Sequence, residues 1–269
     1  SSCQKTSIRQ TLEKAGENRR ELETVLEHYK NESLKEKAAR FLLENMDGHF
    51  AHTGEAVDVY DNYMDSVFRH CNGDRVFWIM KYDTILQRTG LDLELSQDER
   101  LYDAQSVTAD FLTEHIDSAF TVWQQNWNKQ YSFEMFCRYV LPYRIGNEKT
   151  SLWRKTFTVP SWVRDAYAPN QDNSTYAYGM ANDILGGMRS VIYYPPQFLP
   201  VTALEHVKSA SCKEYAHLCV AVLRAHGLPA TIDFTPQWGN RGLGHEWCVF
   251  FPDNHSFIPF NPGERLGDH

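Results

Sequence analysis

Three observations predict an α+β fold for this chain of 269 residues. Apolar residues recur at helical spacing through the first half. Two strand-like runs, ATIDF and HEWCVFF, occupy the last quarter. Immediately before them stands a helix-patterned run, SCKEYAHLCVAVLRAHGLPA. The expected architecture is a helical N-terminal region, residues 1–168, packed as one body on a core, residues 169–269, in which that last helix lies against an antiparallel sheet. With 42% hydrophobic and 13% aromatic residues, the chain can bury a core of that size.

Taken in order, Ile8, Leu12, Ala15, Leu22, Val25, Leu26 and Tyr29 trace a first helical stripe. Ser33 with Glu36 reads as a capping box ahead of Leu34, Ala38, Phe41 and Leu42. A third stripe runs through Val57, Tyr60, Tyr63, Met64, Val67 and Phe68. A fourth runs through Val107, Phe111, Leu112, Ile116, Ala119, Phe120 and Trp123. Ser132 is placed to cap a fifth helix, which Pro142 ends. The Pro-, Asn- and Tyr-rich segment from Val159 to Tyr178 reads as a boundary or cleft loop, and Tyr176 to Met188 as a helix weakened by its glycines. Thr202 with Glu205 reads as a capping box for a short helix leading to the last one.

The last helix carries the chemistry. Ala216, Cys219, Val220 and Leu223 give it an amphipathic pattern, Gly227 and Pro229 stop it, and Cys212 falls in its first turn. A helix start and a neighbouring imidazolium lower the pKa of a thiol and so favour the nucleophilic thiolate. Unpaired N–H groups there also suit an oxyanion. His245 opens a strand, with Trp247, Val249 and Phe251 on its face by the two-residue period. Across one hairpin, HSFIPFNP delivers Asn261, which is placed to orient the imidazole. Asp253 is the competing orienter, although its PDN context suits a purely conformational turn role.

The motifs C-x-x-x-A at Cys212 to Ala216, L-R-A-x-G-L-P-A at Leu223 to Ala230, H-x-W at His245 to Trp247 and F-N-P at Phe260 to Pro262 together resemble the transglutaminase-like core superfamily, relatives of papain-type cysteine proteases. The resemblance spans Ser211 to Glu264. It implies a papain-like core and a catalytic set of Cys212, His245 and Asn261, acting on amide, peptide or isopeptide carbonyls through a thioacyl intermediate. Two positions depart from the pattern: Asn261 stands where an aspartate is usual, and Ser211 where a small residue, often glycine, precedes the nucleophile. Hydrolysis is favoured over cross-linking. The alternative is a catalytically inactive binding or scaffold module that keeps the fold.

Upstream, Tyr131 to Arg154 resembles a segment of secreted bacterial lipoproteins that carry this core. Arg144 and Glu148 are its notable polar residues, read as an ion pair of surface or packing type. The start SSCQKTS resembles the surroundings of a lipidated cysteine, so the resemblance implies a lipid anchor at Cys3 and an extracytoplasmic, cell-surface or periplasmic placement. The chain stops at His269, soon after Asn261, and reads as part of a longer protein whose remainder binds protein, carbohydrate or cell wall. Protein or peptide, cell-wall or glycan-linked, is the expected substrate class.

Other classes are disfavoured. A net charge of −8 lacks the basic surface that nucleic acid requires, and no apolar run approaches the ~18 residues of a membrane span. The six cysteines, Cys3, Cys71, Cys137, Cys212, Cys219 and Cys248, match no metal-ligand spacing. Neither metal nor cofactor is therefore expected. A zinc set of Cys212, Cys248 and His245 is the weak alternative. His206, Gln197 and Trp162 are candidates for a second oxyanion donor.

Overall fold

A computed structural model describes residues 7–70, 84, 87, 100–124, 130–157, 179, 189–190, 199–206, 209–237, 239, 242 and 244–261. Cys3, Cys71, Trp162, Gln197, nearly all of the 159–178 loop and the 176–188 helix, and Pro262 lie outside that set. So does the division between residues 168 and 169. Seven helices are described: α1 (Ile8–Lys14), α2 (Arg19–His28), α3 (Ser33–Glu44), α4 (Glu55–His70), α5 (Ala109–Trp123), α6 (Phe133–Tyr139) and α7 (Cys212–Ala225). The strands are β1 (Phe50–His52) paired antiparallel with β2 (Arg100–Tyr102), β3 (Arg189–Ser190) paired parallel with β4 (Ser209–Ala210), and an antiparallel sheet in which β5 (Ala230–Thr235), β6 (His245–Phe250) and β7 (Ile258–Phe260) follow one another.

Local chemistry explains where these elements begin and end. The first helical stripe is split at Gly16, whose φ of 57° lies in the left-handed region that glycine tolerates, so α1 and α2 meet at a turn. Ser7, Thr108 and Ser132 cap α1, α5 and α6 with their hydroxyls, as caps of that kind do. The expected Ser33 box does not form. Ser33 is already helical, and Glu36 is engaged by Arg40 one turn on. The short helix expected after Thr202 is Val201–His206, a 3-10 helix in which Thr202 is already the second residue.

Helices α1, α2, α3, α5 and α6 share one apolar cluster through Leu22, Val25, Leu43, Leu112, Ile116 and Phe136. A second cluster surrounds α7 and includes Tyr60, Met64 and Val67 of α4, Trp153, and Cys248 and Phe250 of β6. Trp123 packs against both. The amphipathic reading of α7 is therefore corrected: every residue from Glu214 to Ala225 is buried, with the sheet on one side and residues 140–154 on another. Its polar residues survive burial because each has a partner.

Those partners form a charged network between the two clusters. Arg144 makes a bidentate pair with Asp103, which also accepts from the Tyr143 hydroxyl at 2.8 Å. A third nitrogen of Arg144, Nη1, donates to the Glu148 carbonyl. Glu148 accepts the N–H groups of Ile145 and Gly146 at 3.0 and 2.8 Å, and its carboxylate lies 3.5 Å from His217 of α7. Arg224 of α7 donates to the carbonyls of Arg144 and Ala230, at 2.9 and 3.0 Å. Arg154 donates to the Arg224 carbonyl at 2.8 Å and to His115 at 3.0 Å, while its plane lies over Trp153. The pair read from sequence as Arg144 with Glu148 is thus a packing device, with Asp103 as the carboxylate partner of the guanidinium.

Burial alone would push the Glu148 carboxyl up. The His217 ring, the Ile145 N–H and Arg144 outweigh it and hold the group at about 2, below the ordinary 4.5. A depressed carboxyl stabilises the fold fully above the unfolded value, so this contribution should be lost as pH falls from 4.5 towards about 2. The shift corresponds to roughly 3 kcal/mol. Glu148→Gln should lower the unfolding free energy at neutral pH by about that amount and flatten its decline in acid. Chemical denaturation of both proteins across this pH range measures it, and equal acid slopes would refute the assignment.

Candidate active site

Cys212 is the first residue of α7, and Ser211 before it adopts the extended conformation of an N-cap. The Glu214 carboxylate reaches back to accept both the Ser211 N–H, at 3.0 Å, and the Ser211 hydroxyl. This capping box was missed in the sequence, although S-x-x-E at Ser211 to Glu214 is its ordinary signature. The β3–β4 pairing anchors the chain just upstream, with Ala210 beside Ser190. At the far end, Gly227 with φ 78° closes the helix and turns the chain into β5.

His245 is the first residue of β6, opposite Thr235 of β5. Its Nε2 lies 2.8 Å from Asn261 Oδ1. An amide oxygen can only accept, so Nε2 carries hydrogen and, in the neutral ring, Nδ1 carries the lone pair. The β6–β7 register runs from Phe250 opposite Ile258 to Cys248 opposite Phe260. One further step puts Asn261 opposite Trp247 and diagonal to His245, within reach of a side chain. Trp247 shares the face of His245, with ring centroids 5.9 Å apart.

The distal end of this hairpin is pinned to α6. Tyr131 donates to the Phe251 carbonyl at 2.8 Å, the Ser132 N–H donates to Asn254 at 2.7 Å, and Tyr139 packs on Phe251 with centroids 4.2 Å apart. Asp253 accepts from the N–H groups of His255 and Ser256 and from the Ser256 hydroxyl. It is the turn residue, remote from the imidazole that Asn261 engages.

Cys212 and β6 meet through the backbone: the N–H of Glu246, the residue after His245, faces the thiol, as does the N–H of Lys213. These donors favour the thiolate, but burial is the larger influence and pushes the thiol above its ordinary value. The carboxylates of Glu246 and Glu214 add to that rise. The lowered pKa expected at a helix start is accordingly reversed here. Partial burial and two nearby carboxylates outweigh the N–H groups of Glu246 and Lys213.

The zinc set of Cys212, Cys248 and His245 is not assembled. Cys248 is fully buried and its thiol is engaged with that of Cys219 in the core. Among the described residues no group of three His, Cys, Asp or Glu side chains could hold a metal ion, and no helix is long and apolar enough to cross a membrane. His206 ends the 3-10 helix upstream of α7, and its side chain lies outside the described set, as do Trp162 and Gln197.

Residues 141–262 match the family model of the transglutaminase-like superfamily. This segment is a transglutaminase-like domain. Comparison with curated proteins and with solved structures yields no significant match. The transglutaminase-like core begins upstream of the motif-bearing stretch and takes in Arg144, Glu148, Trp153 and Arg154, the residues that brace α7. The chain is thus a mixed α+β protein whose N-terminal helices pack against a transglutaminase-like core bearing an antiparallel sheet.

Gly244, just before His245, is a second feature that sequence reading passed over as loop. A Cβ there would come within 3.0 Å of the carbonyl oxygens of Thr235 and Pro236, backbone atoms that cannot swing aside. Gly244→Ala should therefore displace the start of β6 and its imidazole. The expected signature is a changed His245 ring resonance in a protein that still melts cooperatively, and an unchanged resonance would show that the loop absorbs the methyl group. For the thiol, iodoacetamide alkylation of Cys212 should climb with pH to a midpoint above 9.0, as a raised pKa requires. Mass mapping that found a full rate at mildly acidic pH would contradict this.

Proposed function

We propose that this protein is a thiol enzyme of the transglutaminase-like type, acting on amide, peptide or isopeptide carbonyls through Cys212, His245 and Asn261. The observation that carries the reading is the His245–Asn261 hydrogen bond, which directs the basic nitrogen of the ring away from Asn261. Because the resting thiol is protonated, catalysis begins with proton transfer. His245 Nδ1 takes the thiol proton as Sγ attacks the carbonyl carbon. The tetrahedral oxyanion is met by N–H groups at the start of α7. Its collapse breaks the C–N bond, the leaving amine takes the proton from Nδ1, and a thioester remains on Cys212. Water, deprotonated by the same nitrogen, then releases the acid and restores the thiol. An amine in place of water would give cross-linking, and hydrolysis is the favoured outcome.

A neutral amide as the third residue fixes the ring without adding charge, so the imidazolium gains less than it would beside a carboxylate. The raised thiol favours a second reading, an inactive binding module that keeps the fold. A lipid-anchored, extracytoplasmic placement is part of the same proposal and rests on the SSCQKTS pattern around Cys3.

Screening peptide and isopeptide libraries by mass spectrometry, with Cys212→Ala as control, separates the two readings. Turnover that survives Cys212→Ala, or none in any library, would remove the enzyme reading. On an identified substrate, Asn261→Ala should slow turnover on the order of a hundredfold without loss of folding. Asn261→Asp should retain activity and, by adding a charge that favours the imidazolium, move the alkaline limb of the pH–rate profile upwards. Collapse in Asp253→Ala with normal turnover in Asn261→Ala would show the orienter to be wrong.

A further inference from the structure

The surroundings of Cys212 carry information about substrate charge. In β5 and β6, Ala230, Ile232 and Phe234 stand opposite Phe250, Cys248 and Glu246 and share one sheet face. Ala230, Cys248 and Phe250 belong to the core around α7, so this face is the one covered by the helix. At its open end stand Glu246 and Phe234, beside the start of α7, where the N–H of Glu246 meets the thiol. Phe234 is 64% exposed, an unusual state for a phenylalanine on the core-facing side of a sheet. Directly opposed residues of an antiparallel pair have Cβ atoms about 5 Å apart, so the aromatic ring and the carboxylate are neighbours.

The two carboxylates near the thiol differ in their commitments. Glu214 is buried and holds the N-cap through Ser211. Glu246 is half-buried, and among the described residues its carboxylate has neither an ion-pair nor a hydrogen-bond partner. An anion left beside a nucleophile that must itself become an anion is unfavourable unless a cation joins it. We infer that Glu246 and Phe234 form a cation subsite next to Cys212, which selects substrates whose side chain flanking the scissile carbonyl ends in an ammonium or guanidinium group. This rests on the proposed thiol chemistry at the same site. The aliphatic stem of a lysine or arginine lies along Phe234, the charge meets Glu246, and the ring face adds a cation–π contribution. Docking such a group also offsets the charge that disfavours the thiolate, so the substrate that binds is the one that activates the nucleophile.

The test reads the thiol directly, independently of turnover. Aminoethyl and sulfonatoethyl methanethiosulfonates, one cationic and one anionic, each transfer a thioalkyl group to Cys212: an S–S bond forms, methanesulfinate leaves, and the thiol proton is released. Rates at Cys212, relative to the neutral methyl reagent, should favour the cation by about tenfold or more at low salt and less as salt is added. Glu246→Gln should remove most of this preference and Glu246→Lys should invert it. Phe234→Leu should weaken it by about threefold, and Glu23→Gln, an exposed change on α2, should leave it intact. A ratio near unity in the wild type, or one retained in Glu246→Gln, overturns the subsite. Matched peptides with Lys, Gln or Glu beside the scissile amide then separate the two ideas. Cys212-dependent cleavage indifferent to that charge leaves the enzyme reading and removes the subsite, whereas a charge-selective thiol with no turnover on any peptide does the reverse.

Discussion

The fold depends on how the charged segment from Val140 to Arg154 grips α7. A helix buried on every side gains much from burial but must satisfy its polar groups internally, and α7 carries Glu214, His217 and Arg224 into the core. Segment 140–154 supplies the answer: carbonyls for Arg224, a carboxylate for His217, and a guanidinium in Arg154 that binds the last turn of the helix. Removing one member leaves an uncompensated buried charge, at a cost of about 3–5 kcal/mol, whereas a well-packed apolar substitute would not. Such a network is therefore better understood as fixing one arrangement than as adding stability. Because Asp103 belongs to the helical half and Arg224 lies on α7, the network joins the N-terminal helices to the helix that carries Cys212.

The same burial sets the chemistry of the thiol. A helix start contributes at most about 1–2 kcal/mol towards a thiolate, and here it competes with partial burial and with the carboxylates of Glu214 and Glu246. Burial wins, and Cys212 rests as a thiol. In the proposed chemistry, selectivity would follow from this balance. A thiol that ionises only when its partner base is free and its anionic surroundings are neutralised is quiet towards most electrophiles, and its reactivity becomes conditional on what is bound beside it.

Most of the architecture was legible in the sequence because it was written in periodicity. The stripes through Val57 to Val67 and Leu112 to Phe120 became α4 and α5, and HEWCVFF became β6, within a residue or two. The H-x-W and F-N-P motifs put His245 and Asn261 on neighbouring strands, where they bond. What sequence could not supply was partnership. The carboxylate of Arg144 sits 41 positions away at Asp103, a separation that no local pattern encodes. Capping boxes were misplaced for a related reason. Ser33 and Thr202 had the right residues in local sequence, yet tertiary packing set the start of α3 and tightened 201–206 into a 3-10 turn. The boxes that do form pair Ser7 with Gln10 and Ser211 with Glu214.

Precision at the site comes from constraints far from it. The register of β6 against β7 is a discrete quantity, since a slip of one residue would move Asn261 to the opposite face and leave His245 without its acceptor. That register is held at both ends. At one, Asp253 ties three donors into the hairpin turn, and Tyr131, Ser132 and Tyr139 lock the turn onto α6. At the other, the close approach of Gly244 to the carbonyls of Thr235 and Pro236 fixes where β6 begins. The helical half therefore reaches the imidazole through the hairpin and the thiol through the charged segment. Two separate braces, each anchored in the same helical layer, converge on the elements that carry Cys212 and His245. This is a physical reason for a core of this type to be built into a helical body.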